Sequence, residues 1–131
     1  MQSAHLRSWT TRTAALLGQV GAICKKAESE PSGDLSSDLE ALKTALTADN
    51  LDRQEFVASL SSTQHSGLKK PQRGLDKANK DMATALSEIT RNSGQIQDKK
   101  LLVKALQRAK KAIAAEQHEQ QELAREMGVT V

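Results

Sequence analysis

The sequence predicts an all-α fold: an up-down antiparallel helical bundle of four long elements, the second split into two shorter helices. Three observations lead there. Among 131 residues only Trp9 and Phe56 are aromatic and there is no tyrosine, so the aromatic and β-branched runs that build strands are missing. Apolar residues recur instead at alternating intervals of three and four, which places them on one helical face. The segments that carry this pattern are joined by short stretches rich in Gly, Ser, Asn and Pro, and short connections between long helices favour antiparallel neighbours.

In the first element Leu6, Trp9, Thr13, Leu16, Val20, Ile23 and Ala27 follow at 3, 4, 3, 4, 3, 4, the seam of a helix packed side-on against others. Ser3 is its expected N-cap. Gly18 and Gly21 each weaken the helix by up to about 1 kcal/mol relative to alanine unless a neighbour packs closely there. The polar run 28–34, with Pro31 and Gly33, reads as a loop. Leu35, Leu39, Leu42 and Leu46 start the second element, with Ser37 and Glu40 as an expected capping box. Ala48-Asp49-Asn50 is expected either to interrupt it before a further helix with Leu51, Phe56 and Leu60 or to kink one long element, ending near His65-Ser66-Gly67.

The next helix is expected from about Pro71, since proline is tolerated in a first turn. Leu75, Met82, Ile89 and Ile96 recur every seven residues, with Ala78 and Leu86 between them, and Asn92-Ser93-Gly94 is the expected stop. The last helix carries Leu102, Leu106, Ala109 and Ile113 and is expected to reach Met127, with Gly128 ending it. This length suits one helical-bundle domain over residues 1–131, either the whole protein or the N-terminal domain of a longer one. The one cysteine, Cys24, excludes an intrachain disulfide, and no apolar run approaches a membrane span.

The residues do not assemble a recognisable catalytic or metal-binding motif. Gly18 and Gly21 lie within a helical pattern, without the strand and Lys-Ser/Thr of a phosphate loop. His5, His65 and His118 stand alone in sequence, and His118 with Glu119 and Glu122 reads as a solvated polar face rather than a ligand set. Cys24 reads as a small half-buried apolar residue, although Lys25 and Lys26 follow it. Trp9 is assigned to the core. The expectation is a non-enzyme with no metal and no cofactor.

Charge placement carries the functional content. The net charge of +3 hides strong alternation: +4 over residues 1–27, −6 over 28–65, +8 over 66–111 and −3 over 112–131. In an up-down bundle Lys25 and Lys26 are expected to meet Lys99 and Lys100 at one end, the first candidate site for an anionic partner. Lys77, Lys80, Lys104, Arg108, Lys110 and Lys111 form a secondary basic face. Glu116, Glu119 and Glu122 are expected to offset Lys69, Lys70 and Arg73 across the α-hairpin.

These features point first to a non-catalytic interaction or targeting module, whose partner is another protein or a second copy packed helix to helix. The alternative is binding to an anionic membrane surface or phosphoinositide headgroups through the basic end. Nucleic-acid backbone binding is weaker, because bases stack on aromatic side chains and this chain has almost none. Residues 1–27 hold no acid, which also describes a transit peptide or a membrane-surface helix with Trp9 at the interface. The unbroken seam favours a first bundle helix. A cytoplasmic location, with a peripheral membrane association as a variant, is the expectation.

Overall fold

The computed structural model describes residues 2–29, 35–60, 69–92 and 100–128. It contains four helices, α1 (Gln2–Ser29), α2 (Ser36–Leu60), α3 (Lys69–Asn92) and α4 (Lys100–Met127), and no strand among the described residues. Cross-links between side chains fix their directions. Thr13 meets Asp49 on α2 and Gln120 on α4, and Lys26 meets Asp38 near the start of α2. Arg108 on α4 reaches Glu88 near the end of α3. Sequential helices are therefore antiparallel, as the short connections predicted. The tightest pairing is α3 with α4, then α4 with α1 and α1 with α2, while α2 and α3 meet least.

The 3–4 spacing explains which residues go inside. Leu6, Trp9, Thr13, Leu16, Val20, Ile23 and Ala27 are all buried on α1. On α2 and the Leu35 that precedes it, the buried set is Leu35, Leu39, Leu42, Leu46, Asp49, Arg53 and Phe56, at 4, 3, 4, 3, 4, 3. On α4 the seam continues past Ile113 to Glu116, Gln120 and Leu123 at the same spacing. Two apolar clusters result. The larger, from Leu16 to Ala27 on α1 and the facing parts of the other helices, is aliphatic apart from Cys24 and Met82. The smaller contains Leu6, Trp9, Phe56, Leu75, Leu123 and Ala124. Here the Trp9 and Phe56 rings lie 5.4 Å apart and His5 stands edge-on to Phe56 at 5.6 Å. Burying each large side chain contributes roughly 1.5–3 kcal/mol before entropy is counted.

Several details depart from the expectations. First, α2 is not split: it runs unbroken through Ala48-Asp49-Asn50. Asp and Asn weaken helices chiefly by hydrogen bonding to nearby backbone. Here Asp49 and Asn50 bond instead to side chains inside the bundle, so that competition does not arise. Second, Leu35 O already accepts from Leu39 N at 2.8 Å, so Ser37 lies in the first turn and not at the cap. The predicted end of α4 holds: Gly128 takes φ of 70° and its N–H donates to Arg125 O at 3.2 Å, the left-handed exit that glycine accepts without strain. α3 begins at Lys69, with Pro71 in its first turn, and closes at Asn92. α1 is already helical at Gln2, one residue before the expected cap at Ser3. The expected features at Gly67, Gly94 and Ile96 lie outside the described residues. No described helix is long and apolar enough to cross a membrane.

Candidate interaction surface

Two polar features stand out, one inside the bundle and one on its surface. The inner one is a layer between the two apolar clusters to which every helix contributes. Thr13, Asp49, Arg53, Glu116 and Gln120 are all at least 96% buried by their exposures of 0%, 3%, 4%, 0% and 1%. Arg53 is its centre. Its Nη1 donates to Glu116 Oε2 at 2.8 Å and lies 3.6 Å from Asp49 Oδ2, and its Nη2 donates to the side-chain carbonyls of Asn50 and Asn79. Gln120 Nε2 donates to Thr13 Oγ1 at 2.9 Å, and Thr13 Oγ1 reaches Asp49 Oδ1 at 2.6 Å and Trp9 O at 2.9 Å. Burial first, and then the neighbouring Asp49, push Glu116 up to about 9, against the pull of Arg53.

The structure thereby corrects one expectation. Glu116 does not offset Lys69, Lys70 and Arg73 from the surface; it turns inward to Arg53. Glu119 lies against Gly74, where a Cβ would collide with its carboxyl group, and Glu122 pairs with Arg125. The layer was legible only in part. Thr13 sits in the seam of α1, and extending the seams of α2 and α4 by the same steps lands on Asp49, Arg53, Glu116 and Gln120.

The outer feature is a groove of about 520 Å³ between α3 and α4. Small residues on facing positions, Gly74 and Ala78 on α3 and Ala112 and Ala115 on α4, leave it open. Lys77, Arg108 and Lys111 line it together with Asp81 and Glu119. Of the secondary basic face it unites these three cations. Lys80, Lys104 and Lys110 are exposed but do not line it. Lys110 acts on Cys24 of α1 and so belongs to the opposite flank of α4. Arg108 is held by Glu88, whereas Lys77 and Lys111 make no ion pair among the described residues.

The other candidate end is less well assembled. Lys25, Lys26 and Lys100 are exposed, but Lys26 Nζ is 3.0 Å from Asp38 Oδ2, and Lys99 lies outside the described residues. The two aromatic residues, Trp9 and Phe56, are fully buried, so neither can stack on a base or anchor a helix at a lipid interface.

His5 is not alone in space, as it is in sequence. It approaches Asp52 and Glu55 of α2, with one ligand-type atom from each within 4.8 Å of the others. Arg12 already takes both oxygens of Asp52, Nε to Oδ2 at 2.5 Å and Nη2 to Oδ1 at 2.8 Å. The trio is thus the margin of an ion pair and not an open ligand set. Cys24 is 7% exposed, and burial, with a contact to Glu28, pushes its thiol upward, which keeps it protonated and weakly nucleophilic. No family model, curated protein or solved structure matches the chain.

Proposed function

We propose that the chain is a non-catalytic helical interaction module that receives an acidic segment of another protein in the groove between α3 and α4. The observation that carries this reading is the convergence of Lys77, Arg108 and Lys111 on one groove floored by small residues. Such a groove admits an extended or helical segment, and its cations supply attraction and register for carboxylates. Asp81 and Glu119 in its lining favour a partner that carries some cations of its own.

An acidic partner is favoured over an apolar one because Leu51 and Leu101 are the exposed large hydrophobic residues among those described. They lie on different helices, about 25 Å apart along the bundle axis, and so form no joint patch of the kind that drives self-association. Anionic lipid headgroups at Lys25, Lys26, Lys99 and Lys100 are the weaker alternative, because Lys26 is engaged by Asp38. Nucleic-acid backbone is weaker still, since only Lys77, Arg108 and Lys111 of the six cations of the secondary face share the groove, Lys110 acts on Cys24 of α1, and no exposed aromatic accompanies them.

The test is fluorescence anisotropy with a labelled Glu/Asp-rich peptide, wild type against Lys77→Glu/Lys111→Glu. Saturable binding that weakens with salt and falls about tenfold or more on charge reversal is expected. An unchanged affinity overturns the groove. Anionic vesicles and duplex DNA run beside it separate the alternatives: vesicle binding lost only on reversal of Lys25, Lys26, Lys99 and Lys100 would move the function to that end.

A further inference from the structure

We propose that a single proton, carried by Glu116 and shared with Asp49, completes the buried layer and locks α2 to the rest of the bundle, making the fold a pH-sensitive switch. The case begins with hydrogen-bond accounting. Three buried side-chain polar atoms lack a partner among the described residues: Trp9 Nε1, Asp49 Oδ2 and Glu116 Oε1. The first lies in the smaller apolar cluster. The other two belong to carboxyl groups that meet at Arg53 Nη1 and are close enough to hydrogen bond to each other. Two carboxylates cannot serve one another, because each can only accept. One added proton on Glu116 Oε1 turns it into a donor, and Asp49 Oδ2 is then its acceptor.

The remaining bonds place that proton on Glu116 and not on Asp49. Asp49 Oδ1 accepts from the Thr13 hydroxyl at 2.6 Å, a short contact suited to an ionised acceptor. The Thr13 oxygen in turn accepts from Gln120. Glu116 Oε2 accepts from Arg53, which leaves Oε1 for the proton. The result is one directed chain: Gln120 to Thr13 to Asp49, then from Glu116 to Asp49 and from Arg53 to Glu116, Asn50 and Asn79. It ties α4 to α1, α1 to α2, α2 to α4 and α2 to α3.

Charge balance agrees. With the proton present the layer holds one anion, Asp49, and one cation, Arg53. Without it two buried anions face one guanidinium, and a net charge inside a bundle is costly. The charged groups that bear on the pair from each element are few. Arg12 of α1 acts on Asp49 from the rim but is held by Asp52. α2 supplies Asp49 and Arg53 themselves. α3 presents the neutral amide of Asn79, and α4 adds only the neutral amide of Gln120 to Glu116. None can replace the proton. The titration of Glu116 at about 9 is in accord with this.

The device would act where the packing is weakest. Of the adjacent helices α2 and α3 meet least, and a cavity of about 120 Å³ between them is lined by Asn50, Arg53 and Asn79 together with Leu46, Met82 and Leu86. Removing the proton therefore loosens α2 first, on the side where it packs least.

The decisive measurement is carbon NMR of the Glu116 side-chain carboxyl in the intact, folded chain from pH 5 to pH 10, beside thermal unfolding over the same range. Glu116 is expected to keep the shift of a protonated carboxyl at pH 7 and to move once, near pH 9. The unfolding midpoint should fall over pH 6–9.5, and Glu116→Gln, whose amide donates to Asp49 and whose carbonyl accepts from Arg53, should abolish that part of the slope. An ionised Glu116 at pH 7 in the folded protein overturns the proposal, as does a wild-type slope in Glu116→Gln. Should that variant fail to fold, Asp49→Asn provides the second reading: removal of the anion must lower the Glu116 titration, and an unchanged titration overturns the shared proton.

Discussion

Arg53 on α2 donates to Glu116 on α4 at 2.8 Å across the interior of the bundle, between two helices that do not otherwise pack as neighbours. This bond joins diagonal helices, whereas the apolar seams join adjacent ones. The 5% and 0% side-chain exposures of the pair decide how it behaves. Polar groups removed from water contribute through completeness, and loss of one member leaves the others without a partner.

Substituting Arg53 with leucine strands Asp49 beside Glu116 without a cation. A loss of about 3–5 kcal/mol is expected from chemical denaturation at neutral pH. A loss below about 1 kcal/mol would mean that solvent reaches the layer.

Arg12→Ala is the contrasting case, between α1 and α2. Arg12 holds Asp52 with two hydrogen bonds, but its side chain is 52% exposed. Solvent screening reduces such a pair to about 0–1 kcal/mol, and urea midpoints of the two arginine variants should separate accordingly.

Thr13→Val keeps the shape and removes the hydroxyl that joins Gln120 to Asp49. Two buried partners lose a bond, so a cost of about 1–3 kcal/mol is expected in urea unfolding. Thr13→Ser should retain most of the stability, since its oxygen can serve both partners.

The pH dependence follows from the direction of the Glu116 shift. Its titration rises from 4.5 in the unfolded chain to about 9 in the fold, so between these values the native state binds the extra proton. The stability this group contributes is complete below about 4.5 and is lost as pH rises to about 9, after which it no longer changes. Urea midpoints at pH 6 and pH 9 should show the wild type weaker at the higher value.

Gly18→Ala and Gly21→Ala should stabilise. Nothing lies within 4 Å of a Cβ built at either position, so no close approach requires glycine. Each replacement should gain about 0.5–1 kcal/mol, read as a raised thermal midpoint.

How far the sequence reached is clearest on α2 and α4. The leucine ladder Leu35, Leu39, Leu42, Leu46 gave the helix and its buried face, and the polar residues that follow read as a break or a kink where the helix runs on unbroken. Asp49 and Arg53 continue that ladder, yet residue type argued against burial because charged groups are almost never buried unpaired. Only a partner from another helix reverses that inference, and Glu116 lies 63 residues from Arg53 in sequence. The basic groove was half legible: the lysines and arginines could be counted, but which of them share a surface depends on the rotation of α4. That rotation sends Lys111 and Arg108 into the groove and Lys110 towards α1.

The sequence by itself determined the helical class, the four seams, the buried position of Trp9 and the glycine exit at Gly128, because periodicity and local backbone preference are properties of neighbouring residues. Tertiary structure alone decided the unbroken course of α2, the burial of Glu116, the closing of the hydrogen-bond chain around Arg53 and the grouping of Lys77, Arg108 and Lys111. Those depend on what a side chain meets across the bundle, and desolvation with pairing, unlike helix propensity, has no local signature in the chain.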